Sequence, residues 1–265
     1  MGRTMMPAAD PTKPRFELKY VTSADVAEAF RERIADAMVA DPHAVGGSYH
    51  VRSLYYDTTD LRAYVEKLDG VSNRFKIRLR WYTRSSGDPE AGPTSFLEAK
   101  HREDQRLGKT RVRLDDSTRM TLLDTPVLSP ASLSPVDAEQ QESAVVLRSL
   151  IGQAPLHPTC VVSYHREPHI CRLDPTLRVT FDTGLRVLAP HAAAEAAIDD
   201  GDLFLPPELC VVEIKFHWAM PLWILEVTRE IGLGLRRYSK YCSALERLHP
   251  NLTARSLRFQ DSATS

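Results

Sequence analysis

This sequence has few cysteines, and they are not arranged as metal ligands. The four cysteines among 265 residues form no CxxC pair and show no zinc-like spacing with histidine. Because cytosolic chains seldom keep disulfides, we expect four reduced thiols and a cytoplasmic location.

Long apolar runs and an excess of one charge are also missing. No stretch approaches the ~20 apolar residues that span a bilayer, and residues 1–14 lack the apolar core of a signal peptide. The formal net charge is -1, from 34 lysines and arginines against 35 aspartates and glutamates. We therefore expect neither direct membrane insertion nor general nucleic-acid binding.

The sequence predicts a disordered leader over 1–14, one domain over 15–250 and a flexible tail over 251–265.

Charged residues that alternate with apolar ones recur in separate strand-like segments. The segments are 15–19 (RFELK), 76–80 (KIRLR), 98–100 (EAK), 109–113 (KTRVR), 178–182 (RVTFD) and 213–215 (EIK). Successive side chains of a strand point to opposite faces, so each segment places its charges on one face. Several such strands in one sheet would build a charged wall.

Most of the charges on these inferred faces are positive. With Arg166 added, the cations are Arg15, Lys19, Lys76, Arg78, Arg80, Lys100, Lys109, Arg111, Arg113, Arg166, Arg178 and Lys215, and the anions are Glu17, Glu98, Asp182 and Glu213. The plainest interpretation is the solvated side of an open antiparallel sheet. However, arginines side by side on neighbouring strands repel each other without a ligand, and their forked donors suit phosphate oxygens. The pattern therefore favours a bound polyanion.

A Glu-x-Lys unit occurs three times within this pattern, at Glu17, Glu98 and Glu213. The spacing puts each carboxylate beside its ammonium on one face. The units are either structural ion pairs of small energetic value or places where a metal ion meets phosphate, since Mg²⁺ and Mn²⁺ prefer oxygen ligands. The spacing alone leaves both readings open.

The order of the elements predicts the fold class. Strands are interspersed with helices without a regular βαβ alternation, which indicates an α+β fold with a mainly antiparallel sheet. The predicted helices include 24–39, 137–151, 221–231 and 241–248, and residues 117–136, with three prolines, are predicted to be a loop. If the sheet closes with its charges inside, its interior is a basic channel.

Eight short motifs follow one another along the chain: 15–20 (RFELKY), 53–57 (SLYYD), 76–82 (KIRLRWY), 97–100 (LEAK), 164–166 (YHR), 181–182 (FD), 212–215 (VEIK) and 239–241 (SKY). In this order they resemble the VTC domain, the polyphosphate polymerase branch of the triphosphate tunnel metalloenzymes in the CYTH-like superfamily. The resemblance implies a closed antiparallel eight-stranded β-barrel with helices packed outside and a C-terminal helical segment at the tunnel mouth. It also implies a metal-dependent transferase that moves the terminal phosphoryl group of ATP onto inorganic polyphosphate.

The resemblance also implies a role for individual residues. The phosphate-binding residues would be Lys19, Arg78, Arg80, Lys100, Arg166, Lys215, Arg237, Ser239 and Lys240, with Arg80, Lys215 and Lys240 catalytic. Glu213 would be the leading ligand of Mn²⁺ or Mg²⁺, with Glu98 and Glu17 beside it. Asp57 is expected to orient an arginine, and Asp182 to support the site rather than to bind the metal directly.

One departure from the wider superfamily separates the candidate functions. Hydrolytic members open with Glu-x-Glu-x-Lys, whereas Arg15 stands at the first glutamate here, which favours a polymerase. The alternatives are a tripolyphosphatase or nucleoside triphosphatase of the same fold, and a non-catalytic polyphosphate-binding sensor or scaffold. The expected partners are ATP and inorganic polyphosphate, and a membrane-protein partner would have to supply any coupling to transport.

Overall fold

The computed structural model describes residues 15–44, 46–84, 93–103, 106–133, 137–236 and 238–252. Its strands are β1 (Arg15–Ser23), β2 (Met38–Ala40), β3 (Tyr49–Asp57), β4 (Arg74–Arg84), β5 (Thr94–Glu103), β6 (Arg106–Leu114), β7 (His157–Cys171), β8 (Arg178–Leu188), β9 (Asp202–Leu203) and β10 (Leu209–His217). The predicted leader and nearly all of the predicted tail lie outside the described residues, so the domain bounds stay predictions.

Six α-helices accompany these strands in the described ranges. They are α1 (Ala24–Ile34), α2 (Arg62–Leu68), α3 (Asp116–Asp124), α4 (Gln141–Ile151), α5 (Leu222–Glu230) and α6 (Lys240–Leu248). The first begins where Ser23 Oγ accepts a hydrogen bond from the Val26 amide, as an N-cap does. None of the helices in this part of the chain is long and apolar enough to cross a membrane.

The strands form one antiparallel sheet, which confirms the predicted class. Eight of them pair in the order β1-β10-β8-β7-β3-β4-β5-β6, while β2 joins β7 and β9 joins β8. The predicted closed barrel is not found, because the described strands form no ladder between β1 and β6 and the sheet is open there. The reason is physical: alternation shows which face a side chain occupies, whereas closure depends on pairing between distant segments. The sheet still curls so far that Lys100 Nζ on β5 lies 2.5 Å from Glu17 Oε2 on β1.

The outer face of the curl is apolar and covered by helices. One core cluster packs α3 and α4 against the outer sides of β3 to β6, with Leu79 and Leu97 fully buried. A second packs α1 and α5 against β1, β8 and β10 around Phe30 and Ile214. Because the apolar residues of these two clusters point outward to the helices, the charged residues that alternate with them along the strands point inward.

The inner face carries both the charges and one helix. Tyr241 and Leu245 of α6 pack onto Tyr55, Val162 and Val211, which belong to three strands of the sheet. The C-terminal helix therefore fills part of the concave side and brings its first residue, Lys240, to the charged region.

Candidate functional site

The first residue of α6 carries an ammonium that is buried between two carboxylates. Lys240 Nζ lies 2.6 Å from Asp182 Oδ2 and 2.7 Å from Glu213 Oε1. Burial opposes the charge of Lys240, but Asp182 and Glu213 outweigh it and raise the pKa of this lysine. Ser239 Oγ accepts from the Cys242 amide at 3.4 Å and so fixes the start of the helix.

Arg166 on β7 holds the same two carboxylates from the other side. Its Nε and Nη2 donate to the two oxygens of Asp182 at 2.6 and 2.7 Å, and Nη2 also donates to Glu213 at 3.1 Å. The cationic groups of Arg166 and Lys240 lie 5.2 and 4.9 Å from the ring centroid of Tyr164. In this bidentate pair Asp182 holds the guanidinium of Arg166 in the geometry that forked donors favour.

Strand register explains why two of the Glu-x-Lys units become ion pairs. Because β1 and β10 run antiparallel, Glu17 lies opposite Lys215 and Lys19 lies opposite Glu213. Lys215 Nζ is 3.5 Å from Glu17 and 2.9 Å from Glu213, and Lys19 Nζ is 3.3 Å from Glu213. Lys100 adds a cation from β5 to Glu17. The two carboxylates and three lysines form a compact charged cluster at the open side of the sheet.

The third unit lies in a separate group around Glu98 on β5. Arg78 Nη2 lies 2.8 Å and Arg80 Nε 4.0 Å from Glu98 Oε2, and Lys109 Nζ lies 2.5 Å from Oε1. Arg80 is less tied to this carboxylate, since its Nε donates to Ser53 Oγ at 3.0 Å. Its Nη2 lies 3.5 Å from Tyr164 Oη, so one tyrosine joins this group to the Arg166 group.

The two groups together enclose a surplus of positive charge. The cations in these pairs are Lys19, Arg78, Arg80, Lys100, Lys109, Arg166, Lys215 and Lys240, eight in all, and the carboxylates are four, Glu17, Glu98, Asp182 and Glu213. Like charges in a weakly solvated concavity repel each other, so the surface is suited to an anion with several negative charges, such as a triphosphate.

Two lysines of this charged face have lowered pKa values. Burial, together with the nearby Arg78 and Arg80, lowers the pKa of Lys109 to about 7 against the opposing effect of Glu98. Burial likewise lowers the pKa of Lys100 to about 8. Both ammonium groups are therefore partly deprotonated near neutral pH, until an anion stabilises the charge.

Anion binding should consequently draw protons into the protein. A bound phosphate favours the charged ammonium and raises both pKa values, so we expect proton uptake on tripolyphosphate binding at about pH 8, and an affinity that falls as the pH rises through both values. Calorimetry in buffers of different ionisation heat measures the uptake, and Lys109→Met should reduce it. No uptake, or an affinity that rises with pH, would contradict this charge arrangement.

The structure brings together most of the residues that the sequence singled out. Seven predicted phosphate contacts, Lys19, Arg78, Arg80, Lys100, Arg166, Lys215 and Lys240, lie on the concave face in these ion pairs. Ser239 caps α6 and accepts from Lys76 Nζ at 3.2 Å. Arg237 lies outside the described residues. Which of them bind phosphate stays a prediction.

Sequence reasoning gave no site role to Lys109 or to Tyr164. Lys109 is the first residue of KTRVR in the alternating pattern, so its face could be predicted but its approach to Glu98 could not. Tyr164 stands in the YHR motif two residues before Arg166, and that spacing places both side chains on one face. The spacing within YHR could therefore have identified Tyr164 from the sequence.

The predicted metal ligands do not converge on one point. Glu98 is surrounded by Arg78, Arg80 and Lys109, whereas Glu17 and Glu213 share Lys19 and Lys215. Among the residues that can be described, no group of three or more histidine, cysteine, aspartate or glutamate side chains is arranged to hold a metal ion. Of the three predicted ligands, Glu213 and Glu17 lie near each other and Glu98 lies apart, and metal binding by any of them stays a prediction.

The chain is similar to a curated relative and to two solved structures. The chain is 28% identical over 231 residues to the vacuolar transporter chaperone complex subunit 4 of Trypanosoma brucei brucei. The match covers 75% of this chain and 28% of that relative, so the chain spans little more than a quarter of the relative's length. Two solved structures, candidate adenylate cyclases from Bacillus halodurans and Vibrio parahaemolyticus, are 15% and 10% identical. Their TM-scores are 0.47 and 0.38, over 86% and 83% of this chain and 94% and 84% of theirs.

The family assignment rests on a match along nearly the whole described chain. The profile of the VTC domain matches residues 14–249, from the beginning of β1 to the residue after α6. That range contains every charged side chain of the concave face described above. The chain belongs to the VTC domain family.

Proposed function

We propose that this chain is a polyphosphate polymerase that transfers the terminal phosphoryl group of ATP to the end of a growing inorganic polyphosphate chain. The observation that carries the proposal is the concave surplus of eight cations over four carboxylates. Membership in the VTC domain family supports the choice of substrates, because the resemblance implies ATP and polyphosphate.

The concave residues suit phosphoryl transfer without a protein nucleophile. A terminal oxygen of the polyphosphate chain attacks the γ-phosphorus of ATP, the bond from that phosphorus to the bridging oxygen breaks, and ADP leaves with the electron pair. The reaction mainly requires alignment and neutralisation of charge on the equatorial oxygens. Arg78, Arg80 and Arg166 supply forked donors, and Lys240 supplies a compact charge from the start of α6.

A divalent cation would add to this charge neutralisation. Mn²⁺ or Mg²⁺ would be held by Glu213 with Glu17, and when bound it supplies further positive charge to the phosphate oxygens. For these carboxylates to bind it, Lys19 and Lys215 must release them. An incoming phosphate provides the alternative partner for both lysines, so phosphate and metal are expected to bind together.

The relative's name points to a complex, and a partner is part of the proposal. That relative is a subunit of a vacuolar transporter chaperone complex. We expect this domain to work on the cytoplasmic side of a membrane-protein partner that moves the polymer, because the described helices provide no membrane span of their own.

The product of an ATP incubation tests the proposed reaction. With ATP and Mn²⁺, the purified protein should produce ADP and a ladder of acid-insoluble phosphate polymers on a sizing gel, and chelation of the metal should stop both. Orthophosphate in equal amount to ADP, without polymer, would show a hydrolase instead. Binding of polyphosphate without any consumption of ATP would show a sensor or scaffold.

A further inference from the structure

One buried carboxylate near the site, Asp57, accepts its hydrogen bonds from neutral donors in the part of the chain that the structure describes. The sequence assigned Asp57 an arginine, but the structure gives it different partners: its oxygens accept from the backbone amides of Thr58, Ala63 and Tyr64 at 2.8, 2.9 and 3.1 Å. It also accepts from Tyr241 Oη at 2.6 Å. Asp57 therefore ties the end of β3 and the first turn of α2 to α6, and the expected arginine role is wrong.

Tyr241, which donates this hydrogen bond to Asp57, directly follows Lys240 in the chain. Tyr241 stacks on Tyr55 with 4.8 Å between ring centroids, and Tyr55 Oη accepts from Arg78 Nη1 at 3.2 Å. Burial raises the pKa of Tyr241, and Asp57 raises it further, so the hydroxyl stays protonated and donates. One continuous set of contacts thus runs from Asp57 through the two stacked rings to Arg78, with Lys240 attached beside it.

These contacts differ from the ion pairs of Lys240 in one respect that matters for catalysis. An ammonium that turns to a phosphate must weaken its bonds to Asp182 and Glu213, so those bonds cannot hold Lys240 in place while it acts. The hydrogen bond from Tyr241 to Asp57 involves no cation that a phosphate would recruit, and the backbone amides of Ala63 and Tyr64 also hold the Asp57 carboxylate. It keeps the first turn of α6 in one position whether or not the site is filled.

We propose that Asp57 and Tyr241 are a positioning pair that holds Lys240 in its working place during phosphoryl transfer. The inference rests on the proposed function for the reaction, but the contact between the pair and Lys240 can be tested through anion binding alone. Neither residue needs to touch the substrate, because both act through the placement of Lys240 and of the stacked Tyr55.

The test removes the hydroxyl and keeps the ring. In Tyr241→Phe the stack on Tyr55 remains. We expect kcat for ATP consumption to fall at least about tenfold and KM to change by less than about threefold. Tripolyphosphate affinity should fall about fivefold, by calorimetry. The matched control is Tyr56→Phe, since Tyr56 and Tyr241 are both 2% exposed and the hydroxyl of Tyr56 donates to the Leu122 carbonyl on the outer face. This control should change neither quantity more than about twofold.

A double-mutant cycle separates positioning from general stability. In a Lys240→Ala background, Tyr241→Phe should leave tripolyphosphate affinity unchanged, because the lysine it positions is gone. An equal loss of affinity with and without Lys240, or a normal kcat in Tyr241→Phe, overturns the inference. If the wild type binds tripolyphosphate but does not consume ATP, the polymerase proposal fails while the cycle still decides the role of the pair.

Discussion

Replacement of Lys240 by methionine should abolish polymer formation and also destabilise the fold. The variant keeps the length of the side chain but removes the charge at the start of α6, and we expect turnover to fall about a hundredfold to a thousandfold, as for the loss of one fixed charge donor. It also leaves Asp182 and Glu213 with fewer partners in a buried place. Asp182 keeps Arg166, and Glu213 keeps Lys19 and Lys215, so the free energy of unfolding should fall by about 1–3 kcal/mol in a urea titration, as for the loss of charge-assisted hydrogen bonds.

Two control variants make the Lys240 result interpretable. Lys240→Arg keeps the charge, so it should recover much of the stability. Turnover should stay low, because a planar guanidinium does not have the geometry of a compact ammonium. Arg33→Met removes a cation from the exposed pair with Glu230 on the outer helices, and such a pair contributes at most ~1 kcal/mol. Normal polymer synthesis by Lys240→Met would contradict the role given to α6.

Replacement of Arg80 by alanine should weaken anion binding more than it weakens the fold. Arg80 lies 4.0 Å from Glu98, which keeps closer partners in Arg78 and Lys109, so its loss strands no carboxylate. Its guanidinium is accordingly the one most available to phosphate. We expect tripolyphosphate affinity to fall about tenfold to a hundredfold, as charge-assisted hydrogen bonds disappear, with a matching loss of ATP turnover.

Arg52 provides the matched control for Arg80. Both arginines are 7% exposed, but Arg52 points to the outer side, where its Nη1 donates to the Ala196 carbonyl at 2.7 Å. Arg52→Ala should therefore lower the unfolding free energy and leave tripolyphosphate affinity unchanged. Equal losses of affinity in the two variants would mean that Arg80 acts through stability, and the phosphate role would be wrong.

The charged face could be predicted from the sequence because its signal is local. Alternation in RFELK, KIRLR and VEIK fixes which side chains share a face of their own strand, and the helices covering the opposite face confirm it. The partners across strands could not be read in this way. That Glu17 lies opposite Lys215 depends on the register of two strands almost 200 residues apart in the chain.

Two secondary-structure predictions failed for reasons that are visible in the structure. The predicted loop over 117–136 begins with α3, whose N-cap Asp115 accepts from the Thr118 amide at 2.7 Å. The prolines that suggested a loop lie beyond the end of this helix, and the cap was the signal to follow. The helix predicted over 24–39 ends at Ile34, because Met38–Ala40 pairs with β7 as β2. Tertiary pairing overrode the helical spacing there.

The ion pairs of the concave face are best understood as the resting state of an anion site. Four carboxylates keep eight cations folded together without a ligand, and the lowered pKa values of Lys100 and Lys109 show that the compensation is incomplete. Phosphate would replace carboxylate as the partner of several cations at once. Such an exchange would allow one surface to be stable when empty and to bind a polyanion as proposed.

A crystal structure with inorganic tripolyphosphate and Mn²⁺ would test the central claim most directly. The account predicts one phosphate chain on the concave face, with oxygens within hydrogen-bond distance of Arg80 from one cation group and of Arg166 and Lys240 from the other. It also predicts that Lys240 Nζ has moved away from at least one of Asp182 and Glu213. Tripolyphosphate bound on the outer face, or bound to one group with the ion pairs of the other intact, would contradict it.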